Sequence, residues 1–260
     1  MNRSLAAAPR LLLPIRRPWL LSTLLLLLAP PLARAGDAAP VPPALTLPGA
    51  LAISDQQPVQ AVPLAAGERI VLDGTLAHPA WQRAPVFDRF VEKDPVPGAP
   101  PPQATRVQVL FDEHALYVGV TALDTAPELI RDEIVRADNV RRTQDFVVVY
   151  IDAIGRKQSA QFFRVNAAGS TADGLHTASD DSEDFAPDFD WDAAVARNAE
   201  GWTAVLRLPF ASLRFAEGRH DWRIMVGRRL PREQFHMITS VLIPRDAPGF
   251  IDRLQPLLGV

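Results

Sequence analysis

The segment from residue 158 to residue 166 carries the side chains best suited to hold a ligand. A strand here would place Phe162, Arg164 and Asn166 on one face. An apolar ring beside a planar guanidinium fork and an amide suits a polyol such as a sugar. The alternative is that Arg164 pairs with a carboxylate on a neighbouring strand, and the sequence favours neither interpretation.

A second segment with side chains that could bind a ligand is the acidic stretch 180–192. It ends in alternating aspartates and aromatic residues. An extended backbone would turn Asp188, Asp190 and Asp192 to one side, and Phe189 and Trp191 to the other. Crowded carboxylate oxygens suit Ca²⁺, so the three aspartates are our candidate calcium ligands. The main alternative is a solvated acidic loop whose two aromatic residues enter the core. A pair of glycosidase carboxylates is a third interpretation.

The sequence lacks the common catalytic motifs. It has no G-x-S-x-G nucleophile elbow, no H-E-x-x-H zinc helix and no glycine-rich phosphate loop. Without cysteine, neither disulfides nor a thiolate metal site can form. The five histidines fall in five separate segments without ligand spacing. We therefore predict a non-catalytic protein that requires no cofactor. Calcium is the one ion that its acidic segment is suited to bind.

The N-terminus has the pattern of a secretory signal. Arginines precede an apolar run of about ten residues at 19–28, and Ala33-Arg34-Ala35 forms a cleavage site before Gly36. The run is half of the ~20 residues that a membrane span needs. Residues 1–35 are therefore predicted to be a signal peptide, and the protein to be exported to the periplasm or beyond. The proline- and alanine-rich residues 36–66 are predicted to be a disordered tether, and 67–260 the folded domain.

The charge balance narrows the partners. The chain has 27 basic and 30 acidic residues, and five arginines lie in the first 35 residues. The mature chain would keep 22 basic against 30 acidic residues, a formal charge of −8. Nucleic acid and anionic lipid surfaces need clustered positive charge, so neither is expected as a partner.

The dominant period of the folded region is two, which predicts short strands. A hairpin is expected at 106–121, and helical pieces are expected at 79–84 and at 127–135, the second capped by Thr125. Further strands are predicted at 146–152, 160–166, 191–197, 202–208, 222–229 and 237–243. This pattern predicts an all-β, two-sheet antiparallel β-sandwich of the jelly-roll or immunoglobulin-like kind.

The tryptophans of the folded region are Trp81, Trp191, Trp202 and Trp222. Three of them open predicted strands, and Trp81 lies on a short amphipathic helical piece. These positions are more typical of core residues than of stacking platforms for a sugar.

Several stretches, in order, carry a family resemblance. They are IVLDGTL from Ile70 with Trp81, VQVLFDEHALYV from Val107, DFVVVYID from Asp145, QFFRVN from Gln161, DWD from Asp190 and GW from Gly201 with LPF from Leu208 and LRF from Leu213. Together they resemble the family-9 carbohydrate-binding modules, above all the variant at the N-terminus of large exported bacterial proteins that continue into an outer-membrane barrel-like domain. The resemblance covers residues 68–260. It implies a two-sheet sandwich, sugar binding, sometimes bound calcium, and attachment to plant-polysaccharide hydrolases.

The resemblance also assigns candidate contacts. Arg164 and Asn166 match the sugar-contacting groups of the family. The two tryptophans that clamp the sugar would fall near Arg142 and near Pro244, and neither neighbourhood has a tryptophan. The candidate sugar contacts are therefore Arg164, Asn166, Phe162 and Arg142.

The leading functional prediction is an exported non-catalytic carbohydrate-binding domain, linked through its family to polysaccharide breakdown. Its partner would be a polysaccharide or an oligosaccharide. The alternative is a periplasmic accessory or assembly domain of an outer-membrane protein that has lost sugar binding, which the missing clamp favours. A glycoside hydrolase is a third alternative. A free-standing module and a truncated product of a longer gene are both compatible with the sequence.

Overall fold

The computed structural model describes residues 56–215, 218 and 221–260. These residues form thirteen strands and four short 3₁₀ helices, and none of their helices has the length and apolarity to cross a membrane. The strands are β1 Val59–Pro63, β2 Val91–Asp94, β3 Thr105–Phe111, β4 Ala115–Leu123, β5 Phe146–Asp152, β6 Ser159–Asn166, β7 Thr171–Thr177, β8 Ser182–Asp184, β9 Asp192–Asn198, β10 Gly201–Pro209, β11 Arg223–Pro231, β12 Phe235–Thr239 and β13 Gln255–Leu258. The 3₁₀ helices are Pro79–Arg83, Pro127–Leu129, Phe210–Ser212 and Ile251–Arg253.

The strands form two sheets that pack against each other. Sheet I has the order β9-β10-β4-β3-β1, and sheet II has the order β8-β7-β6-β5-β11-β12-β2. β13 pairs with β11 on one side and with β1 on the other, so β13 and β1 join the two sheets. Among the described strands, β1 runs parallel to β13 and to β3, and the remaining ladders are antiparallel. The predicted β-sandwich is confirmed, and β3 with β4 is the predicted hairpin.

The inward side chains of both sheets form the main core. Val109 and Val118 from sheet I and Val149, Phe163 and Val226 from sheet II are all buried there. Each such side chain contributes about 1.5–3 kcal/mol of transfer free energy, against which the entropy of ordering the chain must be set. The period of two in the sequence places these residues on the shared side of their strands.

Trp81 is a core residue on the outer face of sheet I. His78 caps the 3₁₀ helix Pro79–Arg83, since its Nδ1 accepts a hydrogen bond from Ala80 N at 3.2 Å. This cap holds the Trp81 indole over Gly119 of β4, where a Cβ atom would come within 2.8 Å of the ring. Only 1% of Trp81 is exposed, so the sequence-based preference for core over platform is correct for this residue.

Four charged residues close one end of the core, and we refer to them as the charge cluster: Asp124, Asp145, Arg228 and Arg232. Arg232 donates hydrogen bonds to Asp124 Oδ2 at 2.6 Å and to Asp145 Oδ2 at 2.9 Å. Arg228 lies 3.5 Å from Asp124 Oδ2 and donates to the main-chain oxygen of Leu123 at 2.7 Å. Burial lowers the pKa of Arg228 to about 10, although both aspartates favour its charged form. Burial likewise raises the pKa of Asp145, against the opposing effect of Arg232.

The predicted tether is wrong at its C-terminal end. Val59–Pro63 forms β1, and Val59 and Ala61 are buried in the main core. The sandwich therefore begins inside the segment predicted to be disordered, because β1 is the last strand of sheet I and connects it to sheet II through β13. Residues 36–55 of that segment and the predicted signal peptide lie outside the described residues and stay predictions.

The helix predicted at 127–135 is wrong beyond its first turn. Pro127–Leu129 is a 3₁₀ helix preceded by Ala126, without a side-chain cap from the predicted Thr125. The following backbone makes tertiary hydrogen bonds instead, and Arg131 N donates to Asp145 Oδ2 at 2.8 Å. Such contacts override a weak helix propensity.

Candidate functional site

The predicted sugar contacts of β6 share the outer face of sheet II. Phe162, Arg164 and Asn166 point to this face, as the alternation predicts. The loops that follow other strands fold over it, and they bring Val140 and Phe250 into the same apolar cluster as Phe162. The structure therefore brings the three residues together beneath a cover formed by the chain itself.

Arg164 makes its polar contacts within the protein. Its Nη2 donates to Glu183 Oε1 of β8 at 2.6 Å, and its Nη1 donates to the main-chain oxygen of Val140 at 3.3 Å. The guanidinium carbon lies 4.7 Å from the centre of the Phe146 ring and 5.7 Å from that of Phe185. The alternative prediction, an arginine paired with a carboxylate, describes this geometry, except that Glu183 lies on β8, two strands from β6, and not on a neighbouring strand. A sugar contact by Arg164 stays a prediction.

The surroundings of the Glu183 carboxylate favour its ionised form. Burial alone would raise the pKa of Glu183, but the Arg164 guanidinium and the Tyr150 hydroxyl outweigh it and hold that pKa below its ordinary value. The Tyr150 hydroxyl donates to Glu183 Oε1 at 2.7 Å, and burial raises the pKa of Tyr150. At neutral pH the pair is therefore a charged one.

Replacing Glu183 with glutamine should make the free energy of unfolding less dependent on pH in the acid range. Because the folded-state pKa of Glu183 is depressed, its pair with Arg164 stabilises the fold above the ordinary glutamate pKa of about 4.3, and this contribution is lost as the pH falls through the folded value. Urea unfolding should thus separate wild type from E183Q at about pH 7, and the gap should be smaller at a second pH below about 4.3. The exposed Glu113→Gln change is the control. An equal gap between wild type and E183Q at both pH values would contradict the assignment.

Asn166 and Phe162 are fully buried. The Asn166 amide donates to the main-chain oxygen of Glu133 at 2.8 Å, and its oxygen accepts from Ala168 N and Ser170 N at 3.1 and 2.8 Å. These bonds hold the turn between β6 and β7. The amide's role in the described chain is structural, and its role in sugar binding stays a prediction.

Arg142 is the exposed member of the predicted set. It lies in the segment that leads into β5, and its main-chain oxygen accepts a hydrogen bond from Arg229 Nε at 3.4 Å. Its guanidinium has no hydrogen-bond or ion-pair partner within the described residues. Unlike Arg164, it is free to meet a ligand.

The acidic segment alternates as predicted. Asp188, Asp190 and Asp192 are exposed, while Phe189 and Trp191 pack on Phe163 of the main core. Within residues 56–215, 218 and 221–260, no three histidine or acidic residues are grouped so that they could hold a metal ion. Calcium binding by these aspartates stays a prediction, and the placement of the two aromatic residues agrees with the solvated-loop alternative.

A pocket of about 200 Å³ opens beside the covered face of sheet II. Its polar lining comes from Lys93 and Asp94 of β2, Asp181 before β8 and Arg245 after β12, with Phe250 as its aromatic wall. The Lys93 ammonium lies 5.9 Å from the centre of the Phe250 ring. Donors and acceptors therefore surround one aromatic side chain.

His176 lies behind this pocket. Its Nε2 is 3.0 Å from Asp181 Oδ1, and its ring packs 4.5 Å from the Phe250 ring. It therefore fixes two lining residues from the inside. Sequence reasoning missed the pocket, because its residues come from three distant segments and match no motif; the resemblance pointed only to the neighbourhood of Pro244, which also lines it.

Sequence comparison with known families and with curated proteins gives no match. Solved structures do match. A family-9 carbohydrate-binding module from Caldicellulosiruptor kristjanssonii in complex with glucose is similar at a TM-score of 0.55 and 13% identity, over 77% of this chain and 96% of the module. A family-9 carbohydrate-binding module from the same organism in complex with cellotriose is similar at a TM-score of 0.52 and 11% identity, over 78% of this chain and 95% of the module.

A third similar structure is a proposed carbohydrate-binding protein from Bacteroides uniformis ATCC 8492. Its TM-score is 0.50 at 12% identity, over 65% of this chain and 85% of that one. At such identities the likeness concerns the architecture. The chain has the fold of the family-9 carbohydrate-binding modules.

Proposed function

We propose that this chain is an exported, non-catalytic carbohydrate-binding domain. The observation that carries the proposal is the pocket at Phe250, in a fold shared with modules that were solved with glucose and with cellotriose. Export is supported by the signal pattern of residues 1–35. A role in polysaccharide breakdown follows from the family resemblance.

The chemistry of the pocket suits a sugar. Lys93 and Arg245 donate hydrogen bonds, and Asp94 and Asp181 accept them, so the pocket matches hydroxyl groups, which do both. Phe250, of which 6% is exposed, adds a small apolar surface for the C–H groups of a ring. A few polar groups around an aromatic surface are the usual composition of a small-molecule site.

Replacing Asp181 with asparagine should weaken sugar binding by about tenfold or more, because a hydrogen bond to a charged group is worth about 1.5–3 kcal/mol. Calorimetric titration with cellotriose and xylotriose, and pull-down on cellulose and xylan, would measure it. Asp246→Asn is the matched control, since Asp246 is exposed on the loop after β12, next to the pocket-lining Arg245, and does not itself line the pocket. Unchanged affinity in D181N would remove the pocket from the proposal.

The second candidate is an accessory domain of a periplasmic or outer-membrane assembly that has lost sugar binding. The hydrogen bonds that Arg164 donates to Glu183 and to the main-chain oxygen of Val140 favour this candidate, because they occupy a predicted sugar contact. Absence of binding to every neutral and acidic sugar tested, in a protein shown to be folded, would decide for this candidate. Turnover of chromogenic glycosides would instead support the glycoside hydrolase.

A further inference from the structure

An exposed aromatic ring lies beside two arginines at one edge of the outer face of sheet II. Arg142, Arg229 and Phe235 come from three segments, and we call them the arginine edge. Arg229 Nε donates to the main-chain oxygen of Arg142, and Arg229 Nη1 donates to that of Phe235, both at 3.4 Å. The Arg229 guanidinium lies 5.7 Å from the centre of the Phe235 ring, of which 43% is exposed.

The positive charge of the arginine edge lacks a direct counter-ion. The two contacts of Arg229 are long and end on neutral carbonyl oxygens, and neither Arg142 nor Arg229 forms an ion pair with a carboxylate in the described part of the chain. Burial lowers the pKa of Arg229, and the positive charges of Arg142 and Arg164 lower it further, while Asp94 acts in the opposite direction. Crowded and partly desolvated cations of this kind are stabilised by an anion.

The neighbouring arginines are already engaged, which locates the site. Arg164 is paired with Glu183 beneath the cover, and Arg141 donates to Asn139 Oδ1 at 2.9 Å while its guanidinium lies 5.9 Å from the Phe185 ring. The arginine edge therefore ends at Arg142 on this side. On the other side, the strands β2, β12 and β11 lie next to one another, and their backbones place Asp94 opposite Met237 and Met237 opposite Arg229. Because Asp94 also lines the pocket at Phe250, the arginine edge adjoins that pocket.

We propose that the arginine edge binds the carboxylate of a uronic acid residue, whose ring lies against Phe235. The inference rests on the proposed carbohydrate-binding function and narrows it to acidic polysaccharides. A guanidinium fork holds a carboxylate through two parallel hydrogen bonds, and an exposed ring supplies the flat apolar surface that a pyranose face needs. A lipid surface would need four to eight clustered basic residues, which this edge of an acidic chain does not offer.

The test is a calorimetric titration of the purified exported protein with trigalacturonate and with the same trimer after its carboxylates are reduced to alcohols. The acidic trimer should bind at least tenfold more tightly, and added salt should weaken only that binding. Arg229→Gln and Arg142→Gln should each abolish most of this preference. Arg156→Gln, which changes an exposed arginine elsewhere, should leave it intact. Phe235→Ala should weaken both trimers several-fold.

The outcomes separate the two levels of the proposal. Equal binding of both trimers, with no effect of R229Q in a variant whose unfolding midpoint is unchanged, would overturn the uronate inference and leave the carbohydrate-binding function standing. Failure of both trimers and of cellotriose would overturn the function as well. Tighter binding to phosphatidylglycerol vesicles than to trigalacturonate, insensitive to Phe235→Ala, would replace the sugar with a membrane surface.

Discussion

Replacing Asp124 with alanine should lower the free energy of unfolding by about 3–5 kcal/mol, the usual cost of removing one partner from a buried charge pair. The side chain of Asp124 is fully buried and accepts hydrogen bonds from Arg232 Nη2 at 2.6 Å and from Ala126 N at 2.9 Å. Its loss leaves Arg228, which is fully buried, with less compensation for its charge. Urea unfolding at neutral pH would measure the change.

Asp132→Ala is the matched control for this prediction. Asp132 also pairs with an arginine, Arg197, at 2.5 Å, but 52% of its side chain is exposed. Exposed pairs of this kind contribute about 0–1 kcal/mol. If both variants lost stability by the same small amount, the charge cluster would not be the electrostatic support of the sandwich that its geometry implies.

The second large effect is expected at Trp81. Trp81→Ala should cost about 3–5 kcal/mol, because a large buried aromatic side chain is removed and the rigid strand beneath it cannot fill the space. Gly119 leaves room for the indole and offers no side chain to collapse into the cavity. The loss should appear as a lower midpoint in thermal and urea unfolding.

Val71→Ala on the same covering segment is the control, since 69% of Val71 is exposed and its truncation should stay within about 0.5 kcal/mol. A Trp81→Ala protein that kept its stability but lost cellotriose binding would show the opposite of our assignment. Trp81 would then act as a binding platform rather than as part of the core.

The fold could be predicted from the sequence wherever the signal is local. The alternation in β3 and β4 spans a single hairpin, and the alternation at Phe162 and Arg164 correctly assigns their face. β1 was missed because only four residues lie between Pro58 and Pro63, and its partners β13 and β3 lie far away in the chain. β7 was missed because Gly174 and small polar residues dilute its pattern.

The candidate site was harder to predict, because a side chain on the outer face of a sheet is not necessarily accessible to a ligand. The sequence places Arg164 outward but does not reveal that Glu183 and Val140 enclose it. Nor does any motif link Lys93, Asp181 and Phe250, which only the folding of three segments brings together. Periodicity reports one strand at a time, whereas a binding site depends on how several segments meet.

The parallel pairing of β1 with β13 gives the domain a defined mechanical direction. Val59 lies opposite Leu257 and Gln60 opposite Leu258, so the residues before β1 and those after β13 leave the pair at opposite ends. Tension applied through these two flanking stretches would load the hydrogen bonds between the strands in shear, all together, rather than opening them one after another. β1 is also bonded to β3 on its other side, so such a force would meet two ladders at once. We therefore expect a sandwich loaded in this way to resist until β1 separates from its partners, without its edge strands peeling first.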